Sequence, residues 1–465
     1  MKNSLTWKNI VGYGLGDVAN NFAFAMGAMF LLNYYTDTAG INAAVAGTML
    51  LLVRVFDAIA DVVVGRIVDS TQTRWGKFRP FILFGAIPLM TFSVLVFSVP
   101  SFLTDSHKIF YIYLTYMGLG VAYSLVNIPY GSLSTAMTQH PEERAKLGAA
   151  RTIMASLTYT LLAFVIAPAI NDTSGHHQAT YTTYTIGLAI IGVALYWICF
   201  SSTQENITRV VKQPSMKLSM KTVRSNSPLL ILCIVAIFTL TGTFSLSAAG
   251  LYYVRYILND MSYFSTLIFI QTFLGAILAA PLVPRMVKSY GKKTTFIIGT
   301  VIASVSYLIL FFFLDKSVYT AFALFACASF GASLCMTVMW ALEADTVEYG
   351  EYKTGIRIEG LTYSLFSFTR KCGQALGGSL PAFILVASGY VSNQVQTPET
   401  ITGIKLAIAI VPALCMFLAF LGICLYPLTE KRYQDIVSEI NKRKANSEKF
   451  LGSLQEINIY HKKTE

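Results

Sequence analysis

The stretch Ala44 to Val64, AVAGTMLLLVRVFDAIADVVV, decides how the rest of the chain is read. It has about the twenty residues that a helix needs to cross a hydrocarbon core roughly 30 Å thick. Yet it carries Arg54, Asp57 and Asp61. Ionisable side chains at that depth are costly, and they persist where they pair, meet water or serve a function. The whole chain agrees with a membrane setting: 54% of its 465 residues are hydrophobic and 13% are charged, against roughly 25% charged in an average soluble domain. An ordinary soluble enzyme is excluded. Backbone groups in lipid must be satisfied within their own segment, so the spans are helices.

Similar apolar runs fall near 10–35, 80–99, 109–137, 147–170 and 181–200, and again near 228–258, 262–284, 294–314, 318–342, 359–390 and 403–427. With 44–64 they give an all-α membrane protein of twelve transmembrane helices. The polar stretch Ser201 to Ser227 divides the spans six and six. The expected organisation is an N-terminal six-helix bundle over 1–200, a cytoplasmic linker over 201–227, a C-terminal six-helix bundle over 228–428 and a basic tail over 429–465. Loops after even-numbered spans carry Arg66, Arg74, Lys77 and Arg79, then Arg144 and Lys146, then Lys212, Lys217, Lys221 and Arg224, then Lys288, Lys292 and Lys293. Loops after odd-numbered spans hold little beyond Lys108 and Lys316. Short cytoplasmic loops collect Lys and Arg, so both termini are expected in the cytoplasm, with the tail from Lys431 to Lys463 a solvated helix along the inner leaflet. An internal echo supports the division: Gly65-Arg66-Ile67-Val68-Asp69 leading to Trp75-Gly76-Lys77-Phe78-Arg79 recurs as Arg285-Met286-Val287-Lys288 leading to Gly291-Lys292-Lys293. Paired halves of this kind are how many secondary carriers build alternating access around a midplane site.

Several classes fall away. The net charge of +11 sits between apolar runs rather than on a basic soluble face, which excludes nucleic acid as a partner. Cys199, Cys233, Cys327, Cys335, Cys372, Cys415 and Cys424 lie in or beside apolar runs without metal-ligand spacing and read as small hydrophobes. Met1 to Lys8 is polar, and the apolar run after it is too long for a cleavable signal peptide. No Walker loop, HExxH motif or GxSxG elbow is present, so an ATP-driven pump and a common membrane hydrolase lack their chemistry. His107, His140, His176, His177 and His461 all fall in expected loops or the tail, which argues against a histidine proton relay.

The candidate functional residues are the polar groups inside the spans. Asp57 and Asp61 are one helical turn apart on one face. Two such carboxylates, partly desolvated, resist ionising together unless a cation neutralises them, so the pair reads as a cation or proton site. The alternative is internal ion pairing, one Asp with Arg54 and the other with a basic residue of another span; both readings can hold at once. In span 4, Ser124 and Asn127 form a polar stripe just before Pro129, which suits either a ligand or interhelical hydrogen bonding. Span 1 offers Asp17 and Asn21 on one face, with Asn20 beside them. Arg151, early in span 5, and Lys371, inside span 11, could pair with a span 2 carboxylate or meet a substrate oxygen. Trp340, at the inner end of span 10 before Glu343, is either a flat surface for a ring or an interface anchor.

Tyr13-Gly14-Leu15-Gly16-Asp17, Tyr34-Tyr35-Thr36-Asp37, Arg54 to Asp61, Thr73-Arg74-Trp75-Gly76-Lys77-Phe78-Arg79-Pro80 and Ala344-Asp345-Thr346-Val347-Glu348-Tyr349-Gly350-Glu351-Tyr352-Lys353 together resemble the glycoside-pentoside-hexuronide cation symporters, over nearly the whole chain. Within that family the resemblance is to glucuronide carriers, with xyloside carriers a step behind. It implies the major facilitator fold, no enzymatic activity, no cofactor, no obligatory protein partner, and import of a small sugar derivative across a bacterial cytoplasmic membrane with a proton or alkali cation. The cation-binding carboxylates of the melibiose carriers in this family fall on Asp57 and Asp61, and their span 4 hydroxyl falls on Ser124. The Asn of sodium-using members is Ala60 here. That loss weakens a cage for a hard cation, which wants several oxygen ligands, so the expected coupling ion is H+, with Na+ the alternative. The sugar-contacting acids of melibiose carriers fall on Asn21 and Asn127, while the basic residues persist as Arg151 and Lys371. The expected substrate is therefore a glucuronide or a xyloside rather than an α-galactoside. An uncoupled facilitator of the same sugars, and a lipid or drug carrier, are the competing expectations.

Overall fold

The computed structural model describes residues 5–138, 141–170, 177–205, 224–355, 359–440 and 442–443. Among them the chain forms twelve long helices and no named strand. In the first half these are α1 (Trp7–Asn33), α2 (Ala43–Ser70), α3 (Arg79–Val96), α4 (Asp105–Met137), α5 (Pro141–Ile170) and α6 (His177–Ser202). In the second half α7 is Ser227–Tyr253, and the next helix starts as Ser262–Phe269 and continues as Gly275–Leu310. It breaks at Gly291, whose φ of 81° lies where side-chain-bearing residues are strained; α8 precedes this break and α9 follows it. The last three are α10 (Val318–Thr354), α11 (Glu359–Ala387) and α12, which runs from Pro398–Lys405 into Val411–Cys424. Eleven of these are long and apolar enough to cross a membrane. The twelfth, α11, carries Arg370, Lys371 and Gln374 among its apolar residues and packs against α7 and α2.

Side-chain caps fix several starts. Thr6 and Asn9 form a reciprocal capping box on α1, and Asn42, Asn226, Ser317 and Thr397 cap α2, α7, α10 and α12. Helix α2 turns Val55, Ile59 and Val63 outward, each more than half exposed, while Asp57 is 4% exposed. That is the reverse of a soluble helix and fits apolar solvent outside. Helix α2 continues to Ser70 and α10 to Thr354, past the apolar windows at 64 and 342. Trp340 therefore lies well inside α10 rather than at its end.

The motif Thr73 to Pro80 is a structural staple. Thr73 and Gly76 pair across a tight turn, with Gly76 at φ 108°. Glu205, just beyond α6, accepts hydrogen bonds from the backbone N–H groups of Lys77, Phe78 and Arg79 at 2.8, 2.8 and 2.9 Å. An acidic group at a helix N-terminus satisfies orphan donors and complements the helix dipole. The echoed stretch does the matching work in the second half: Lys293 donates to the carbonyls of Cys424 and Tyr426 at the end of α12, and Lys292 grips both oxygens of Asp345 at 2.7 and 2.8 Å. The sequence echo thus marks equivalent ties between the second loop of each half and its last helix.

The halves meet through α1 with α7, α2 with α11 and α5 with α8. Residues 430–440 form a further helix, and its Ile436 and Ile440 are buried with Leu229, Tyr349 and Phe366. The apolar stripe of this charged segment thus docks on the second half. The linker residues 206–223 and the tail beyond 443 lie outside the described residues.

Candidate functional site

Midway along α2, α4 and α11, the packing leaves a narrow cavity of about 30 Å³. Helix α1 contributes Phe24, α2 contributes Arg54 and Asp57, α4 contributes Tyr116, Tyr123 and Ser124, and α11 contributes Lys371. The period of a helix explains the grouping: Arg54, Asp57 and Asp61 recur at intervals of three and four on one side of α2, opposite the exposed Val55, Ile59 and Val63. Lys371 is the described lining residue that comes from the second half.

Asp61 accepts from Ser124 Oγ at 2.5 Å and forms an ion pair with Lys371. Asp57 lies one turn away, with one oxygen 3.5 Å from a guanidinium nitrogen of Arg54. Its other oxygen, Oδ1, is buried without a hydrogen-bond partner among the described residues. Both ion pairs weighed for the span 2 carboxylates are present, one within α2 and one across the halves. The Arg54 guanidinium lies between the rings of Phe24 and Tyr116, 5.7 and 5.9 Å from their centroids, and Phe24 stacks on Tyr123 at 5.7 Å.

A second cluster joins α1 and α5. Arg151 donates from Nε to Asp17 Oδ1 at 3.2 Å, with a second guanidinium nitrogen 3.2 Å from the same oxygen. Its guanidinium covers the Tyr130 ring at 4.9 Å. Asn21 donates to the Asp17 carbonyl at 2.8 Å and to Asp17 Oδ2 at 3.2 Å. Tyr123 lies within electrostatic reach of Asp17, Arg151 and Arg54, between this cluster and the cavity. Asn127 is half-buried on α4 and does not line the cavity. Trp340 is 40% exposed, edge-on to Phe366 and covered by the Arg370 guanidinium at 4.3 Å. The structure thus gathers Asp57, Asp61, Ser124 and Lys371 into one site, holds Asp17, Asn21 and Arg151 beside it, and leaves Asn127 and Trp340 apart from both.

Two features escaped the sequence reading. Arg54 stood only as a counter-charge, whereas it faces the cavity. Asp37, read only as part of a motif, is the hub of a contact between the halves. It sits in the wide π turn Tyr34–Thr38 that ends α1. It accepts from Asn33, Arg255 and Tyr256 at 2.9, 3.0 and 3.0 Å, and from Thr36 and Tyr390. Its carbonyl accepts from Asn393 at 2.7 Å. Arg255 and Tyr256 lie in the equivalent π turn, Val254–Leu258, that ends α7. Such turns re-aim side chains and recur at functional places; the presence of an Asp beside two Tyr at a span end was the available signal.

Comparison with known proteins agrees with this architecture. The MFS/sugar transport protein family matches residues 12–430. The chain is 59% identical over 98% of its length to the whole of the Escherichia coli (strain K12) glucuronide carrier protein homolog. It is 33% identical to the isoprimeverose transporter of Lactiplantibacillus pentosus, over 91% of this chain and 89% of that one. The crystal structure of the nucleoside transporter NupG superposes with a TM-score of 0.66 at 12% identity, covering 91% of this chain and 100% of that one, a likeness of fold. The chain is a multi-pass membrane transporter and belongs to the MFS/sugar transport protein family.

Proposed function

We propose that the protein imports a glucuronide or a closely related sugar derivative across the bacterial cytoplasmic membrane in symport with a proton. The observation that carries this reading is the seat of Lys371: an ammonium from one half rests on Asp61 and Ser124 of the other. A coupling cation and Lys371 compete for the same carboxylate. Neutralising the Asp57 and Asp61 pair releases Lys371 and Arg54 for substrate oxygens, and departure of both ligands restores the ion pairs. Around the cavity the two acids and two bases balance, so an anionic sugar adds one negative charge that one proton offsets. Ala60 supplies no oxygen beside Asp61, which favours a proton over sodium.

The glucuronide reading draws on the 59% identical relative. Arg151 is paired with Asp17 and Lys371 with Asp61, so selectivity rests on exchange of partners rather than on vacant charges. A xyloside is the second reading, supported by the isoprimeverose transporter and by Asn21 and Asn127, since amides hydrogen-bond neutral sugars well. The loop charges support a cytoplasmic location for both termini.

Asp57→Asn tests the coupling. The variant should keep downhill exchange of substrate and lose uphill accumulation, because an amide is permanently neutral. An uncoupled facilitator would exchange substrate at the same rate in parent and variant and would accumulate it in neither.

A further inference from the structure

The geometry points to Arg54 as the residue that selects a negatively charged sugar derivative over its neutral counterpart, by engaging the substrate's carboxylate in place of Asp57. This inference rests on the transport reading above and names a determinant within it.

Three half-buried cations lie near the cavity, and their attachments differ. Arg151 directs two nitrogens at one oxygen of Asp17, each at 3.2 Å, and does not line the cavity. Lys371 lines it but is held in an ion pair with Asp61. Arg54 lines it too, and its contact with Asp57 is a single approach of 3.5 Å, beyond the roughly 2.7 to 3.2 Å of a well-formed N–H···O bond. A guanidinium has five donors in a planar fork, matched to a carboxylate when both oxygens are taken at once. The Asp57 contact takes little of that capacity and a side-chain hydrogen bond with Tyr116 takes a further donor, leaving the rest of the fork to the cavity that Arg54 lines. Meanwhile Asp57 Oδ1 is buried with no hydrogen-bond partner among the described residues, so the pair as it stands is incomplete on both sides.

The surroundings suit a uronate. The rings of Phe24 and Tyr116 lie within 6 Å of the guanidinium, while Phe24 and Tyr123 stack into an apolar surface beside it. A pyranose bearing a carboxylate at C5 has one apolar C–H face and one anionic edge. The aromatic surface takes the first and Arg54 the second. A neutral glycoside offers a hydroxymethyl group at that edge, which cannot bridge the fork with two charged oxygens.

The test uses the full-length protein reconstituted in liposomes, with p-nitrophenyl β-D-glucuronide and p-nitrophenyl β-D-glucoside competing for counterflow. The ratio of their apparent affinities is the readout. Arg54→Gln should lower the glucuronide-to-glucoside ratio about tenfold or more, the scale of a lost charge-assisted bond, and Arg54→Lys should fall between, because it keeps the charge and loses the fork. Equal weakening of both compounds, or an unchanged ratio, overturns the assignment and makes Arg54 a structural counter-charge. If Arg54→Gln fails to insert, Arg54→Lys decides alone, since it still balances Asp57: a lowered ratio supports the assignment and an unchanged one overturns it. A parent protein that moves neither compound overturns the transport reading itself, which is distinct from a loss of selectivity.

Discussion

Lys371 reaches Asp61 across 310 residues of sequence, and this contact joins the second half to the carboxylate pair of α2. Removing one partner of a partly buried ion pair leaves the other uncompensated, a larger cost than the pair's own net stabilisation. Lys371→Ala should therefore lose accumulation while the chain still inserts, and Lys371→Arg should recover part of it at most, because a planar fork does not reproduce an ammonium seated on one carboxylate oxygen. Uptake into vesicles, normalised to inserted protein, checks this; full activity in the Ala variant would reduce Lys371 to a lysine that snorkels along the bundle. At this scale the sequence was partly legible. The i, i+4 spacing of Asp57 and Asp61 and their candidacy with Ser124 are visible in the string itself. Which acid meets which base is not, because Asp17 with Arg151 and Asp61 with Lys371 are chosen by packing between distant helices.

At the scale of elements, long apolar runs located twelve helices because a bilayer-spanning segment has to be continuous and apolar. Their ends were less legible. Helices α2 and α10 run on into polar residues where backbone bonding persists after hydropathy stops, and the π turns at the ends of α1 and α7 have no compositional mark. The loop before α3 shows how a recognisable motif can be structural: Glu205 gathers three backbone donors there, and Arg79 donates to the Phe200 carbonyl at 2.8 Å. Glu205→Ala should destabilise the protein by about 1 to 2 kcal/mol, the range for a lost charged cap, with Glu205→Gln intermediate. Thermal unfolding of the purified protein in detergent reads the effect. An unchanged midpoint in the Ala variant would show that water replaces the carboxylate without loss.

At the scale of the molecule, the two halves touch at two levels. Near the cavity Lys371 and Asp61 join α11 to α2, and at the end bearing the α1–α2 connection Asp37 binds Arg255, Tyr256, Tyr390 and Asn393. With both termini cytoplasmic, as proposed, that end is extracellular, and an outward opening then has to dismantle the Asp37 hub. Rocking of paired halves about a fixed site is the general scheme for such carriers, and the central claim is that ion and sugar share one site within it. The most direct measurement is uptake of labelled glucuronide into vesicles under an imposed inward proton gradient, or an imposed sodium gradient at fixed pH. Proton symport predicts transient accumulation above equilibrium with the proton gradient, lost on adding a protonophore. Accumulation driven by sodium alone would contradict proton coupling, and equilibration without accumulation under either gradient would contradict symport.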